Sequence, residues 1–412
     1  MNCLFLQSGG TTQVLNAALA GFLEANSFNE FFKEIYSCKN GFEGVLEDFE
    51  SNKIVFSKTI DVPNVFPSFS LNGDLNLYNN NGFTKKHFFL SRIKFSPGSS
   101  ITTTSRIKIL EEEDFKKLEV IFKKYKITHL VNCGGNGTIK QSKSLSAYFG
   151  DSLKIINIPK TIDNDLGDQD FEKMLFTPGY PSCINFWISK TSMLLNELAG
   201  AYHHDKVIVA QTFGRETSFI SATPSVSFDS DKFPILTLFP EQQSPRELIL
   251  EAVRKKIDKF GRCLIFVPEG YPFRRFKFAK DLSNQIMWSS SESSIMQELI
   301  NFLVKNKIQA RGYYPSFDQR QDTQYAPKFD FEISREIGYR AHKALYAGAS
   351  RALIGINSSA VIHLISFDEI ENYSREMKPE WIEFNQEQSA FTTTQKFKDY
   401  LKTIWEVGRK FA

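Results

Sequence analysis

The sequence has 412 residues, which is long for one domain and favours two α/β domains. It contains 42% hydrophobic and 24% charged residues, as globular proteins do, and a formal net charge of +3 does not require a nucleic-acid partner. The five scattered cysteines form no CxxC pair, which argues against a zinc site or a disulfide framework. Because no apolar stretch reaches the length of a membrane span, we expect a cytoplasmic protein with neither nucleic acid nor membrane as a partner.

The chain opens with a strand pattern that runs directly into a glycine pair. Asn2–Leu6 has strand length, Gln7–Thr12 contains Gly9 and Gly10, and the spacing of apolar residues predicts a helix over Val14–Glu24. A strand, a glycine turn and a helix N-terminus together can bind a phosphate. A tight turn without a ligand explains this short motif equally well, so both interpretations stay open here.

The next stretch changes character twice. Ile35–Cys38 is predicted to be a short strand and residues 40–44 a turn. Residues 63–95 are rich in asparagine and phenylalanine, which predicts a surface insertion. Small hydroxyl residues then precede Arg106, a composition that suits either an anion pocket or a solvated loop.

Residues 131–166 form the unit around which the rest of the chain is organised. Two apolar runs of strand length, His129–Cys133 and Lys154–Ile158, enclose a polar stretch with helical spacing. The first run is followed by Gly134, Gly135, Asn136, Gly137 and Thr138, and the second by Pro159, Lys160, Thr161, Ile162, Asp163, Asn164 and Asp165.

The residues after these two strands indicate a reaction type. Glycines let backbone N–H groups approach a phosphate, and the following helix N-terminus adds a favourable dipole. In open parallel sheets, ligands bind at the carboxyl ends of the strands. A phosphate cradle beside one lysine and two carboxylates therefore predicts phosphoryl transfer from a phosphate donor to a hydroxyl.

The remainder of the chain alternates between helix and strand patterns. A helix is predicted from Pro181 to Gly200, and another from Phe331 to Gly348. Strands are predicted at Lys206–Phe213, 234–239, 263–268, Gln309–Tyr314 and Ala352–Ile356. Polar residues recur just after the strand ends. This alternation predicts a doubly wound α/β architecture.

A set of motifs, in its order and spacing, resembles the phosphofructokinases of the bacterial type nearly from end to end. The motifs are QSGGTTQVLNAALAG, PGSSITTTSR, GGNGT, PKTIDND, TPGYPS, VAQTFGR, VPEG, ARGYYPSFDQR and FEISREIGYRAHKALYAG. PKTIDND is the most specific of them. GGN in place of GGD, the QSGG opening and the PGY turn are most similar to the pyrophosphate-using branch.

The resemblance implies two doubly wound Rossmann-like domains with the active site in the cleft between them. Residues 1–175, joined by roughly 320–385, would bind the donor phosphate. Residues 176–319, joined by the C-terminal segment to 412, would bind fructose 6-phosphate. It further implies a homodimer or a homotetramer.

The resemblance also implies a role for each matching residue. Asp163 would be the base that takes the proton of the sugar 1-hydroxyl, with Lys160 and Asp165 as its catalytic neighbours. The sugar substrate would be bound by Thr161, Asp163, Lys206, Phe213, Gly214, Arg215, Glu269, Arg311 and Arg320. The donor phosphate would be bound by Gly9, Gly10, Arg106, Gly135, Asn136, Gly137 and Thr138.

Three of the positions that depart from the family pattern bear on ligand binding. Asn136 stands where most relatives have a magnesium-binding aspartate, so it would be a weak ligand for the implied Mg2+ and the donor's phosphates would supply much of the coordination. Lys206 replaces a sugar-phosphate arginine that is often supplied across a subunit interface. Phe317 replaces a histidine and removes a polar contact to the substrate.

Two positions bear on the phosphoryl donor and disagree. Lys160 resembles the pyrophosphate enzymes, in which the lysine meets the terminal phosphate. Gly137 resembles the ATP enzymes, because a carboxylate there would repel the α-phosphate of a nucleotide. The wider motif set favours pyrophosphate, and ATP stays the alternative.

The function implied by the resemblance is the phosphorylation of fructose 6-phosphate to fructose 1,6-bisphosphate in glycolysis. A non-catalytic subunit that binds fructose 6-phosphate stays open, because positions 136 and 137 carry no carboxylate. A lipid or NAD kinase fits poorly, because those proteins lack the PKTIDND, Gly-Arg and Gln-Arg elements.

Overall fold

The computed structural model describes residues 1–56, 94–95, 98, 101–105, 111–200, 204–273, 280, 286, 293–370 and 373–412. Nearly all of the insertion predicted at residues 63–95 lies outside these ranges, and so does Arg106.

The strands and helices of this part of the chain have the following bounds. The strands are β1 (Asn2–Gln7), β2 (Glu34–Cys38), β3 (Lys53–Phe56), β4 (Ile127–Gly134), β5 (Lys154–Pro159), β6 (Val207–Thr212), β7 (Ile235–Thr237), β8 (Cys263–Pro268), β9 (Ala310–Tyr313), β10 (Ala352–Ile356), β11 (Ile362–Ser366), β12 (Ile382–Asn385) and β13 (Ala390–Thr393). The helices are α1 (Leu15–Asn29), α2 (Gly41–Asn52), α3 (Glu112–Tyr125), α4 (Asn136–Phe149), α5 (Tyr180–Gly200), α6 (Arg246–Phe260), α7 (Ile295–Lys305), α8 (Asp318–Gln321), α9 (Lys328–Tyr346) and α10 (Gln395–Arg409).

The strands form two main sheets and one hairpin. The larger sheet has seven strands in the order β11-β10-β5-β4-β1-β2-β3, parallel except for the antiparallel edge strands β3 and β11. The smaller sheet is parallel throughout, in the order β7-β8-β6-β9. Strands β12 and β13 pair as an antiparallel hairpin.

The central strands bury both of their faces, as parallel strands do. On β1, Phe5 lies in one hydrophobic cluster, together with residues of α1 and α9, whereas Leu4 and Leu6 lie in another with residues of α2, α3 and α4. Successive side chains of a strand point to opposite faces, so this alternation places helices on both sides of the sheet. The first cluster continues through Ile208 and Leu264 into the smaller sheet, so the two sheets share one core.

Helices α1 and α9 cross at unusually close range because each has a glycine at the contact. A Cβ built on Gly21 would lie 1.8 Å from the Arg335 carbonyl oxygen, and one built on Gly338 would lie 1.9 Å from that of Ala18. Arg335 also donates two hydrogen bonds to the Glu24 carboxylate, at 2.6 and 2.7 Å. This contact places the glycine loop before α1 beside the segment before α9.

The α/β class and the strand–helix–strand unit predicted at the centre of the chain are confirmed. Residues 41–44 begin α2 instead of forming a turn: Asn40 takes the left-handed conformation (φ 59°) and the helix starts directly after it. All five cysteines are free and buried. No helix within the described ranges is long and apolar enough to cross a membrane. The proposed domain boundaries stay a prediction.

Candidate active site

Three adjacent strands bring the predicted phosphate loops to one edge of the larger sheet. Strands β5, β4 and β1 are neighbours and parallel, so their carboxyl ends meet there. The backbone continues the pairing past the strand ends, since Ser8 N donates to Cys133 O at 2.8 Å and Lys160 N donates to Gly134 O at 3.1 Å. This is the edge at which ligands bind in open α/β sheets.

Lys160 is buried at this edge and is bonded to the glycine loop. Only 3% of it is exposed, and its ammonium donates to Ser8 O at 2.9 Å and to Gly10 O. Burial lowers the pKa of Lys160 to about 8, because the charged form loses its hydration. The ammonium therefore holds the loop backbone and places a desolvated positive charge beside it.

Both positions of the loop suit glycine, Gly9 because of its backbone conformation and Gly10 because of its nearest neighbour. Gly9 has a φ of +76°, and a Cβ there would lie 3.7 Å from Lys160 Nζ. A Cβ on Gly10 would lie 2.8 Å from Arg320 Nη1, too close unless the guanidinium moved. The backbone at Gly9 and Gly10 thus runs between two cations, an arrangement that favours an anion.

Asp163 and Asp165 face one arginine. Asp163 Oδ2 lies 3.6 Å from Arg215 Nε, and Asp165 Oδ2 lies 3.7 Å from Arg215 Nη1. Burial raises the pKa of Asp163, while the Arg215 charge opposes that rise and the Asp165 charge adds to it. The Thr161 hydroxyl accepts from Asp163 N at 3.1 Å and donates to its carboxylate at 3.3 Å. A carboxylate with a raised pKa is a better proton acceptor than an exposed one.

Arg215 comes from the smaller sheet, so the cluster spans both sheets. It follows β6 in a left-handed conformation (φ 53°), directly after Gly214 (φ 114°). About half of its side chain, 49%, is exposed, whereas the Asp163 and Asp165 side chains are 13% and 11% exposed. The half-exposed guanidinium can therefore contact a ligand on its exposed side and the two carboxylates on its other side.

Arg320 lies between two phenylalanine rings next to the same cluster. Its guanidinium carbon is 5.4 Å from the Phe213 ring centroid and 4.9 Å from that of Phe317. The Phe317 side chain occupies the position where the resemblance implies a histidine, and it is 60% exposed. Contact with aromatic faces helps to orient a guanidinium.

Asn136 and Thr138 begin helix α4 at the donor edge. Asn136 is the first residue of α4, and its amide donates to Asp165 O at 3.3 Å, which leaves its Oδ1 for a ligand. Thr138 is buried and its backbone N–H donates to Gly135 O at 2.9 Å. No group of three or more His, Cys, Asp or Glu residues in the described part of the chain could hold a metal. The Asn136 amide oxygen, together with the donor's phosphates, would suit the implied Mg2+, because Mg2+ commonly takes only one or two protein oxygens beside substrate phosphates.

Lys206 and Arg311 lie apart from this cluster. Arg311 pairs with Ile208 of β6, about four residues before the strand end that carries Arg215, which is roughly 13 Å along the strand. Its guanidinium is 60% exposed and lies 2.8 Å from the Asp205 carboxylate. Lys206, at the start of β6, is at the same end of the sheet. Within one chain, these two predicted sugar-phosphate ligands are not brought to Asp163.

Glu269 follows β8 on the other side of β6. Its backbone N–H donates to Thr212 O at 3.0 Å. Burial acts to lower the pKa of the Arg215 guanidinium, but the charges of Asp165, Asp163 and Glu269 together raise it. This places Glu269 at the same strand ends as Arg215, as its predicted sugar-binding role requires.

Two buried residues to which the sequence analysis assigned no role form hydrogen bonds with segments that flank the site. Gln319 is fully buried, and its Oε1 accepts from Phe213 N at 2.9 Å and Trp187 Nε1 at 3.2 Å. Asp330 of α9 accepts from the backbone N–H groups of Gly179 and Ser182, both at 3.1 Å, at the N-terminus of α5. Burial raises the pKa of Asp330 to about 6. The only sequence signal for Asp330 is that an acidic residue lies within an apolar helix face. Its partner could not be predicted, because it lies about 150 residues away in the chain.

Comparisons with known proteins identify the family and the fold. The family model described as Phosphofructokinase matches residues 2–345. The pyrophosphate–fructose 6-phosphate 1-phosphotransferase of Methylococcus capsulatus is 24% identical, with 98% of this chain and 91% of that protein covered. The ATP-dependent 6-phosphofructokinase of Sulfurihydrogenibium is 25% identical over 76% of this chain and 80% of that protein. The crystal structure of the pyrophosphate-dependent phosphofructokinase from Nitrosospira multiformis has the same fold, with a TM-score of 0.78 at 21% identity, covering 97% of this chain and 90% of that one.

Proposed function

The chain belongs to the phosphofructokinase family, and from this premise we propose that it transfers a phosphoryl group from pyrophosphate to the 1-hydroxyl of fructose 6-phosphate, forming fructose 1,6-bisphosphate. The observation that carries the proposal is the buried Asp163 carboxylate with its raised pKa. It lies beside Arg215 at the same strand ends as the Lys160 ammonium and the glycine loop.

The reaction follows from this placement. Asp163 accepts the proton of the 1-hydroxyl as its oxygen bonds to the donor phosphorus, and the bond from that phosphorus to the bridging oxygen breaks, releasing phosphate. Lys160 and the loop at Gly9 and Gly10 bind the donor and stabilise the charge that develops on the leaving oxygen. Asn136 and the donor's phosphates would hold Mg2+, which would supply further neutralisation of that charge.

Pyrophosphate is favoured over ATP by the buried Lys160 ammonium, which adjoins the glycine loop. Gly137, in the first turn of α4, supplies no carboxylate that would exclude a nucleotide α-phosphate, so ATP is the competing donor. The name of the Sulfurihydrogenibium relative points to that alternative.

We also propose that the sugar site is completed by a second copy of the chain. Lys206 and Arg311 lie together away from Asp163, and the Arg311 side chain is 60% exposed. From that position the exposed Arg311 and the partly buried Lys206 could reach the 6-phosphate bound in a neighbouring subunit. Lys206→Ala should then raise the KM for fructose 6-phosphate more than it lowers kcat, and light scattering should give at least a dimer. A fully active monomer would exclude this arrangement.

The test is a donor assay with purified protein, fructose 6-phosphate and Mg2+, in which pyrophosphate and ATP are offered separately and fructose 1,6-bisphosphate is measured. We expect product with pyrophosphate and far less with ATP, and Asp163→Asn is the control for contaminating activity. If product forms with ATP and not with pyrophosphate, the donor is ATP. If neither donor works but calorimetry detects fructose 6-phosphate binding, the chain is a non-catalytic subunit.

A further inference from the structure

Asn164, which separates the two site carboxylates, is held by residues from the C-terminal part of the chain. Its φ of +57° is in the left-handed region, which asparagine adopts more readily than most residues. Its Nδ2 donates to the Tyr400 hydroxyl at 2.7 Å, and its Oδ1 accepts from Arg375 Nη2 at 2.7 Å and from Thr177 N at 3.1 Å. Since Asn164 is fully buried, these bonds fix its backbone as well as its side chain.

Arg375 is a buried cation engaged mainly with the backbone. It is 1% exposed, donates from Nε to Asn164 O at 2.9 Å and from Nη1 to Met174 O, and its guanidinium carbon lies 4.1 Å from the Phe171 ring centroid. Burial lowers the pKa of this arginine. A buried charge is tolerated only where its hydrogen bonds are well made, so this guanidinium constrains the loop strongly.

The same segment also fixes the residue after Asn164. Arg375 N donates to Asp165 O at 2.9 Å, and Leu166 pairs with Ser374 in an antiparallel bridge. Asn164 thus forms hydrogen bonds through its side-chain amide and its backbone carbonyl, and Asp165 forms one through its backbone carbonyl. The two carboxylates that face Arg215 are those of the residues on either side of Asn164, so they are attached to this held backbone.

The Tyr400 hydroxyl can be removed without disturbing the packing of its ring. It accepts from Asn164 and donates to Leu175 O at 2.9 Å. The ring stacks on Trp381, with the centroids 4.6 Å apart and the planes at 23°. Phenylalanine at this position keeps the stacking and loses both hydrogen bonds.

We propose that Arg375 and Tyr400 are positioning residues for phosphoryl transfer, which act through Asn164 to hold the Asp163 carboxylate against Arg215. This inference rests on the proposed function. It assigns the C-terminal helix α10 and the segment before it a part in setting the geometry of the base.

The first test compares two tyrosine-to-phenylalanine variants. Tyr400→Phe should lower kcat up to about tenfold, the worth of one buried hydrogen bond, with the KM for fructose 6-phosphate within about twofold. Tyr373→Phe is the matched control, because the Tyr373 hydroxyl is buried and has no hydrogen-bond partner among the described residues. It should leave kcat and KM unchanged.

A double-mutant cycle tests whether Tyr400 acts through Asn164. Asn164→Gly keeps access to the left-handed backbone conformation and removes the side-chain bonds, so it should lower kcat at least as much as Tyr400→Phe. In the Asn164→Gly background, Tyr400→Phe should lower kcat no further. Independent, multiplying losses would overturn the proposed route.

A readout that needs no turnover separates this inference from the proposed function. The protonation of Asp163 can be followed by difference infrared spectroscopy of 13C-labelled aspartate. The Asp163→Asn variant identifies the band that belongs to Asp163. In Tyr400→Phe the Asp163 pKa should fall toward its ordinary value, because a loosened loop admits water. An inactive wild type with this shift refutes the function and keeps the positioning role. An unchanged Asp163 pKa, or a lower melting temperature with unchanged kcat, refutes the positioning role.

Discussion

Because of Lys160, the activity with the phosphoryl donor should depend on pH in the range near pH 8. Its pKa is lowered to about 8 by burial, whereas a free lysine titrates near pH 10.4. The amine of the free enzyme should therefore lose its charge as the pH rises through about 8. If the ammonium meets the terminal phosphate, kcat/KM for pyrophosphate should fall about tenfold for each pH unit above 8, because that parameter reports the free enzyme. The kcat should fall later, since a bound polyanion favours the charged lysine.

Removing the charge should abolish this dependence together with most of the activity. Lys160→Met retains the apolar length of the side chain and deletes the ammonium that donates to Ser8 O and Gly10 O. Loss of one preorganised charged donor typically lowers kcat by about 10²–10³-fold. Because the ammonium also holds the loop backbone, activity with ATP should fall too.

Lys256 offers a matched control for this titration. It is equally buried, at 3% exposure, burial lowers its pKa to about 8, and its ammonium donates to Ser230 O in a different part of the molecule. Lys256→Met should therefore keep the alkaline decline of kcat/KM that Lys160→Met loses. A wild-type profile that stays flat to pH 9.5, or a decline that persists in Lys160→Met, would show that Lys160 does not meet the donor.

Three further predictions concern the base, the donor pocket and the support behind them. Asp163→Asn should lower kcat by about 10²–10⁴-fold and leave calorimetric binding of fructose 6-phosphate near normal; near-normal turnover would mean that another group is the base. Gly137→Asp should suppress ATP-dependent activity at least about tenfold more than pyrophosphate-dependent activity, and equal losses in parallel assays would contradict the proposed repulsion of the α-phosphate. The pKa of Asp330 is raised to about 6 from an ordinary value near 4. Its contribution to the free energy of unfolding, up to about 3 kcal/mol, should therefore be fully present below pH 4 and lost as the pH rises through 6. Urea unfolding at several pH values should show that slope in the wild type and not in Asp330→Asn, and parallel slopes would refute it.

The residues that follow strand ends could be predicted because their meaning is local. A strand of apolar residues followed by glycines or by Lys160 and Asp163 predicts both the fold and the edge at which they meet, since parallel strands bring their carboxyl ends together. The residues that hold this edge from behind have no such local pattern. Arg375 and Tyr400 reach Asn164 across 211 and 236 residues of chain, and nothing in their own neighbourhoods indicates the partner.

Arg311 illustrates a different limit of sequence reasoning. A motif match assigns it a ligand, whereas the strand register places it beside Asp205, well before the strand end that carries Arg215. Sequence identifies the type of residue and its place in the motif. It does not say whether that residue serves its own subunit or the next one, because that depends on assembly.

The charges at the site explain how ligand binding can strengthen the base. Burial raises the pKa of Asp163, and the charges of Arg215 and Arg320 pull it back. A sugar phosphate or a donor phosphate that binds these arginines neutralises part of that opposing charge, while the exclusion of water deepens the burial. Both changes raise the proton affinity of Asp163. Under the proposed function, the carboxylate would therefore become a stronger proton acceptor when both substrates are bound, at the point where the 1-hydroxyl must lose its proton.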